Sequence, residues 1–321
     1  MIILTGGAGF IGTNTLAALN QLGHDDILVV DNIGQSDKWK NLVGRFFRHY
    51  VPKDQLWEWL ARNQAEKVEA VIHLGACTDT MEYDFDYLTR NNIVYSQRLW
   101  QMCTEKQIPF VYASSAATYG DGSLGFSDDH TKTDQYRPIN QYGFSKHRFD
   151  LWALKQSASP AGWYGIKFFN VYGPGEDHKG RMASVPNFAI PQALQTGKIR
   201  LFKSYRKDCA DGDQKRDFVF VQDVVDIVIN FLNFQTAPSG LYNAGTGKAE
   251  TFFSLASAIF TALKKPVDIE YFEMPETLRD SYQYFTEADM RKLGAAGYKY
   301  KPTSLEEGIG QYAEWYLKTN S

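Results

Sequence analysis

Residues 5–12 read Thr-Gly-Gly-Ala-Gly-Phe-Ile-Gly, directly behind the apolar run Met1–Leu4. Consecutive apolar residues mark a strand buried on both faces. Gly6, Gly9 and Gly12 then give a G-x-x-G-x-x-G spacing between that strand and a segment with helical spacing from about 10 to 22. A turn of this kind needs residues without Cβ, so that backbone amides and a helix N-terminus can approach a pyrophosphate. The next apolar run, Ile27–Val30, ends at Asp31, nineteen residues beyond Gly12. A tight structural turn explains neither the spacing nor Asp31; a dinucleotide site explains both. An acidic residue there accepts hydrogen bonds from the adenosine ribose and favours NAD. Asn32, Lys38, Lys40 and Lys53 offer donors and charge to a 2′-phosphate, so this chemistry leaves NAD and NADP open.

The same rhythm continues. A polar helical stretch with Trp57 and Trp59 precedes the apolar run Val68–Leu74. Residues 84–106 read as one long helix, Phe110–Ala113 as a buried strand, Tyr142–Lys155 as a helix and Tyr164–Phe169 as a strand. Strands alternating with helices predict an α/β fold, a Rossmann-type doubly wound parallel sheet, over residues 1–170. After about residue 171 the pattern changes, with Pro174, Pro186 and Pro191 as interruptions. Arg216–Val221 reads as a strand, Gln222–Phe234 as a helix, and 252–263 and 304–317 as further helices. Residues 171–321 are expected to form a smaller C-terminal substrate-binding domain, with segments from about 216 to 250 crossing back to the main sheet. The polar stretch 204–215 reads as an exposed loop.

A formal net charge of -3 gives no electrostatic case for nucleic acid. Cys77, Cys103 and Cys209 show neither a CxxC pair nor metal-ligand spacing, which fits a reduced, cytoplasmic chain and no metal. No apolar run approaches a membrane span, and no basic segment precedes the first strand.

Tyr142-Gly-Phe-Ser-Lys146 sets a phenol and an ammonium four residues apart on one helical face. A free phenol, with a pKa of about 10, is a poor base at neutral pH. A neighbouring cation stabilises the phenolate, so the tyrosine can exchange a proton with a substrate hydroxyl. Lys146 can also reach a nicotinamide ribose. Ser115, at the end of the preceding strand, is available to the reacting oxygen. For His73 and His178 a structural role is the expected one.

The glycine turn, Ser115, Tyr142 and Lys146, in that order, resemble the extended short-chain dehydrogenase/reductases over essentially the whole chain. Asn170-Val-Tyr-Gly-Pro174, Arg216-Asp-Phe-Val-Phe-Val-Gln-Asp-Val224 and Tyr242-Asn-Ala-Gly245 are similar to the sugar-nucleotide epimerase and dehydratase branch. Dehydratases of this branch usually carry an acidic pair after the catalytic Ser or Thr; here Ala116 and Ala117 follow Ser115. Glu176-Asp-His-Lys-Gly-Arg-Met-Ala-Ser-Val185 and Ser114-Ser-Ala-Ala-Thr-Tyr119 resemble the ADP-L-glycero-D-manno-heptose 6-epimerases. The likeness continues through Tyr282-Gln-Tyr-Phe-Thr286 and Ala295-Ala-Gly-Tyr298. The sequence departs from that pattern at Leu74, Arg181 and Phe188, and in the longer 204–215 loop.

That resemblance implies epimerisation at C6″ of an ADP-heptose, for supply of lipopolysaccharide core heptose. The route is transient hydride transfer to bound NADP and a 6″-keto intermediate. Tyr142 and Lys179 would be the two acid/base groups, supported by Lys146 and Ser115. It implies a cofactor set of Gly6, Gly9, Phe10, Ile11, Gly12, Asp31, Asn32, Lys38, Lys53, Leu74, Gly75, Ala76, Cys77, Thr78 and Asn91, with Tyr142, Lys146, Val171 and Lys179. The substrate would meet Ser115, Asn170, Arg181, Phe188, Phe202, Lys203, Ser204, Tyr205, Arg216 and Tyr282. A homo-oligomer such as a homopentamer is also implied. The alternatives are another nucleotide-sugar epimerase, such as a UDP-hexose 4-epimerase, and a non-catalytic NAD(P)-sensing protein. The His-Lys-Gly motif speaks against the first, and the retained Tyr-x-x-x-Lys pair against the second.

Overall fold

Seven short segments carry the architecture: β1 Ile2–Thr5, β2 Ile27–Asp31, β3 His49–Pro52, β4 Ala70–His73, β5 Phe110–Ser115, β6 Trp163–Phe168 and β7 Gly240–Ala244. The structure is a computed structural model and describes residues 1–233, 237–279, 282–299 and 301–320. The seven strands form one parallel sheet in the order β3-β2-β1-β4-β5-β6-β7. Every residue of β1, β2, β4, β6 and β7 is buried, as expected where helices cover both faces. The expected Rossmann-type sheet is therefore present. Strand order reverses between β1 and β4, and the carboxyl ends of those strands open a crevice.

Each face of the sheet has its own core. On one side α1 (Phe10–Gln21) supplies Phe10, Leu16 and Leu19, and a later helix, Val221–Asn233, packs on α1 with Val224, Val228 and Phe231. On the other side α2 (Tyr95–Lys106) and α3 (Gln141–Leu154) bring Leu99, Trp100, Phe149 and Ala153 against Val71, Phe110 and Trp163. Trp100 and Trp163 pack at a 58° tilt with ring centres 5.1 Å apart.

Several expectations need correction. The helix predicted over 84–106 starts as Phe85–Leu88, widens to a π-type turn over Thr89–Val94, and becomes regular only from Tyr95. β3 escaped notice because its four residues, His-Tyr-Val-Pro, form an edge strand with only Val51 buried. The strand read as Arg216–Val221 is two strands, Lys215–Arg216 and Phe218–Phe220. Asp217 lies between them, its carboxylate accepting the amides of Thr246, Gly247 and Ala288. Pro186 and Pro191 do not interrupt the chain; both lie in a helix, Val185–Thr196. Pro186 occupies its first turn, where no N–H is needed, while Pro191 forfeits one internal hydrogen bond. The helix expected to reach Phe234 is described to Asn233, and Phe234 lies outside the described residues.

Beyond β6, Asn170–Tyr172 pairs with Phe218–Phe220, and Ile199–Phe202 with Ile269–Phe272, both in parallel. Helices Val185–Thr196, Phe252–Ala262 and Leu305–Thr319 pack on one another. Among the described residues no helix is long and apolar enough to cross a membrane.

Candidate active site

The crevice between β1 and β4 opens into a cleft of about 590 Å³. Its floor depends on two close approaches. Gly6 has φ +71°, and a Cβ there would lie 2.6 Å from the Gly75 amide nitrogen. A Cβ on Gly12 would lie 1.9 Å from the Gly6 carbonyl oxygen. Gly9 caps α1 without a side chain, leaving Phe10, Ile11 and Gly12 on the cleft wall at the positive end of a twelve-residue helix. This cradle fits a pyrophosphate. At the end of β2, Asp31 accepts the Ala8 amide (2.9 Å), the Asn32 amide (2.7 Å) and the Lys38 ammonium (2.7 Å). Lys53 donates to Asn91, and both line the cleft.

Leu74, Gly75, Ala76, Cys77 and Thr78 follow β4 along the cleft. Asn92, in the widened turn, clamps this segment: it accepts the Cys77 amide and donates to the Cys77 carbonyl, both at 2.9 Å. His73 has both ring nitrogens engaged, by Thr5 and Ser96, and burial pushes its pKa down to about 3. It is structural.

One wall carries Tyr142 and Lys146. Asn140 caps their helix by accepting the Gly143 amide at 2.7 Å. Both side chains are buried. Burial raises the Tyr142 phenol, and its hydrogen bond with Ser115 pulls it back. Burial pushes Lys146 down to about 8, against the opposing charges of Asp150 and Cys77. The Lys146 ammonium donates to the Ala113 carbonyl at 2.9 Å. Behind them lies a fully buried ion pair. Asp150 accepts Lys167 at 2.6 Å, Ser114 at 2.7 Å and Tyr112 at 3.0 Å. Lys167 also donates to Thr118 at 2.7 Å.

Another wall carries Lys179, in the short helical turn Asp177–Met182, where Gly180 has φ +52°. Its half-buried ammonium stands 5.1 Å over the Phe10 ring and 3.9 Å from the buried Glu176 carboxylate. Burial lowers Lys179 and Glu176 raises it. His178 faces Asn41 at 3.1 Å. Among the described residues no cluster of His, Cys, Asp and Glu could hold a metal ion.

Residues 2–245 match the NAD dependent epimerase/dehydratase family. The chain belongs to that family. An ADP-L-glycero-D-manno-heptose-6-epimerase of Fusobacterium nucleatum is 48% identical, covering 99% of this chain and 98% of its own length. One of Nitratidesulfovibrio vulgaris matches at the same identity and coverage. Among solved structures, the Helicobacter pylori ADP-L-glycero-D-manno-heptose-6-epimerase superposes with a TM-score of 0.81 at 26% identity, covering 98% of this chain and 96% of that one.

In this epimerase/dehydratase family member, every residue expected to hold the cofactor lines the one cleft, from Gly6 to Lys179, Val171 included. Of the residues expected at the substrate, Ser115 and Asn170 line it as well. Arg216 sits one layer behind, buried, its guanidinium 5.0 Å from the Tyr282 ring and 5.7 Å from Phe252, which does line the cleft. Phe202 packs at a tilt against Phe272 and edge-on against Tyr282. Lys203 pairs with Glu273 at 2.7 Å, and Tyr205 donates to the same carboxylate. The Ser204 amide donates to Asp211 at 2.7 Å. Arg181 and Phe188 lie outside the lining: Arg181 reaches out to Asp79 at 2.7 Å, and Phe188 is exposed.

Asn92, Asp150, Lys167 and Glu176 escaped sequence reasoning as parts of the site. Lys167 alone left a signal, a lysine inside an apolar strand. Asn92 and Asp150 act through partners distant in sequence, and Glu176 through both near ones, Lys179 and Ser184, and a distant one, Tyr312.

Proposed function

We propose that this chain is an ADP-glyceromanno-heptose 6-epimerase, interconverting ADP-D-glycero-β-D-manno-heptose and its L-glycero epimer for lipopolysaccharide core heptose. The observation that carries the reading is a second ionisable group, Lys179, on the cleft that holds the Tyr142–Lys146 pair. Relatives of that name at 48% identity over nearly the full chain support it.

C6″ is a carbinol centre with no adjacent carbonyl, so deprotonation of carbon alone cannot invert it. A nicotinamide held against Tyr142 and Lys146 would supply the redox half of the chemistry, hydride acceptance from C6″ and its return to the other face of the ketone. Tyr142 accepts the hydroxyl proton as the ketone forms, and the Lys146 cation stabilises the phenolate. Ser115 donates to the reacting oxygen. Once the ketone has turned over, its oxygen meets Lys179, which returns a proton as the new carbinol forms. The reverse reaction uses the same groups in opposite order.

The cofactor is NADP in this reading, with NAD as the alternative. Asp31 is already engaged by two amides and Lys38, and Lys53 brings a second cation to the adenosine end. Residues 1–170, with the crossing segment about 216–250, hold the cofactor; most of 171–321 serves the sugar nucleotide. Asn170, Phe202, Ser204, Tyr205, Arg216 and Tyr282 gather on that side, Arg216 offering planar donors to a diphosphate. Unpaired Cys77, Cys103 and Cys209 support a reducing, cytoplasmic setting. A homo-oligomer, as large as a pentamer, completes the reading and is measured by light scattering.

The test is proton NMR of ADP-D-glycero-β-D-manno-heptose with purified protein and no added cofactor. Conversion to the L-glycero epimer establishes the reaction and a retained cofactor. Silence there, and again with NADP⁺ and NAD⁺, rejects the heptose assignment.

A further inference from the structure

Glu176 has no assigned role, yet its carboxylate is fully enclosed beside the cleft. Its side chain has no exposure, and four donors converge on its two oxygens. The Ser184 amide donates to Oε2 at 2.7 Å; the Ser184 hydroxyl (2.5 Å), the Gly173 amide (3.4 Å) and the Tyr312 hydroxyl (3.3 Å) donate to Oε1. Burial raises the Glu176 carboxyl above its ordinary value, while the Lys179 charge and the donors from Ser184 and Gly173 pull it back towards the ionised form. The donors come from three places: the turn after Asn170–Tyr172, the N-terminal edge of helix Val185–Thr196, and helix Leu305–Thr319. The remaining neighbour of Oε2 is the Lys179 ammonium at 3.9 Å.

We propose that Glu176 is the positioning residue of the second acid/base group: its anchored carboxylate holds the Lys179 ammonium at the cleft wall and sets its proton affinity. This rests on the two-base reading above. The turn itself cannot fix Lys179, because it is a short helical turn broken at Gly180, with an exposed outer edge. The apolar Phe10 ring beneath the ammonium supplies no counter-charge. Glu176 therefore decides where the ammonium rests between encounters with substrate. The other ionisable groups around it are His178 and Asp177 on the same turn, Tyr312 from the last helix, and Lys38 with Asp31 beyond His178. None of these lies within ion-pair distance of Lys179; among the described residues Glu176 alone does.

The full-length protein, reductively methylated with ¹³C on its lysines, gives a direct readout by NMR. The Lys179 signal is assigned by its absence from Lys179→Met. In Glu176→Gln its titration midpoint falls by about one pH unit, because a neighbouring negative charge that favours the ammonium has gone. The epimerisation kcat falls about tenfold by the same loss, while KM for the sugar nucleotide stays within about twofold. Glu176→Asp, which keeps the charge but withdraws it by one methylene, gives a smaller fall in the same direction. It also carries the test should Glu176→Gln fail to fold. An unmoved midpoint in either folded variant overturns the proposal. Full epimerase activity in Lys179→Met would instead remove the two-base reading, whatever the midpoint does.

Discussion

The two walls of the cleft hold their ionisable groups in opposite ways. Tyr142 and Lys146 stand on a fourteen-residue helix, buried, with the Asp150–Lys167 pair locked behind them by Tyr112, Ser114 and Thr118. Lys179 stands on a turn of six residues, half-buried, tethered to a single carboxylate. A group that must keep its distance from a fixed nicotinamide gains from a rigid mount. A group that must meet an oxygen after the ketone has turned gains from a short, adjustable one. Under the two-base reading the asymmetry follows from the reaction: one partner stays still and the other has to accommodate a substrate that moves.

The comparison can be broken in several places. Tyr142→Phe and Lys179→Met should each lower epimerisation by about 10³-fold, while cofactor binding and folding persist; NMR turnover with a thermal melt measures both. Loss at Tyr142 with full activity at Lys179 would leave one wall without a chemical role. Next in size is the backing of the rigid wall. Lys167→Met strands Asp150 as an uncompensated buried charge and should cost about 3–5 kcal/mol of stability in urea unfolding. Arg181→Ala, which breaks only the exposed pair with Asp79, should leave the midpoint where it was.

Glycines sharpen the contrast further. Gly12→Ala drives a Cβ into the Gly6 carbonyl and should abolish cofactor binding, read by fluorescence titration. Gly180→Ala meets no atom within 4 Å. Its φ of +52° with ψ of -132° lies outside the left-handed helical region and costs an alanine about 1–3 kcal/mol, a local strain that should slow turnover modestly without unfolding the protein. Last comes pH. With its pKa held near 8 by burial, Lys146 is charged below that value and loses its charge as pH rises through it. The alkaline limb of kcat/KM should therefore bend near pH 8, because a neutral lysine no longer stabilises the phenolate. A limb unmoved up to pH 10 would mean that Lys146 is not the group that titrates.

Much of this was legible in the residues. The glycine turn and the wholly apolar runs Ile27–Val30, Ala70–Ile72 and Phe110–Ala113 reveal a parallel sheet because their burial is two-sided and leaves no alternation to misread. The edge strand at His49–Pro52 has no such run, and the helix over Val185–Thr196 was hidden by two prolines that it tolerates. Tyr142 and Lys146 are readable because one helical turn joins them. Asp150 with Lys167, Asn92 with Cys77, and Glu176 with Tyr312 are not, since each contact spans a stretch of chain that only the fold closes. The substrate side is the least legible. Phe202, Arg216 and Tyr282 come together from three separate segments.

The seventh strand has a consequence for biosynthesis. β7 is made long after β6, yet β6 needs it: Gly240–Ala244 pairs with Tyr164–Phe168 and covers the edge of β6 that faces away from β5. At about 5–20 residues per second, a ribosome needs on the order of ten seconds to travel from one to the other. For that interval the nascent chain carries an apolar parallel strand with an unpaired edge. The emerging protein must be shielded by chaperones or by its own helix Val221–Asn233, and truncation anywhere between the two strands should yield aggregate rather than a smaller soluble domain.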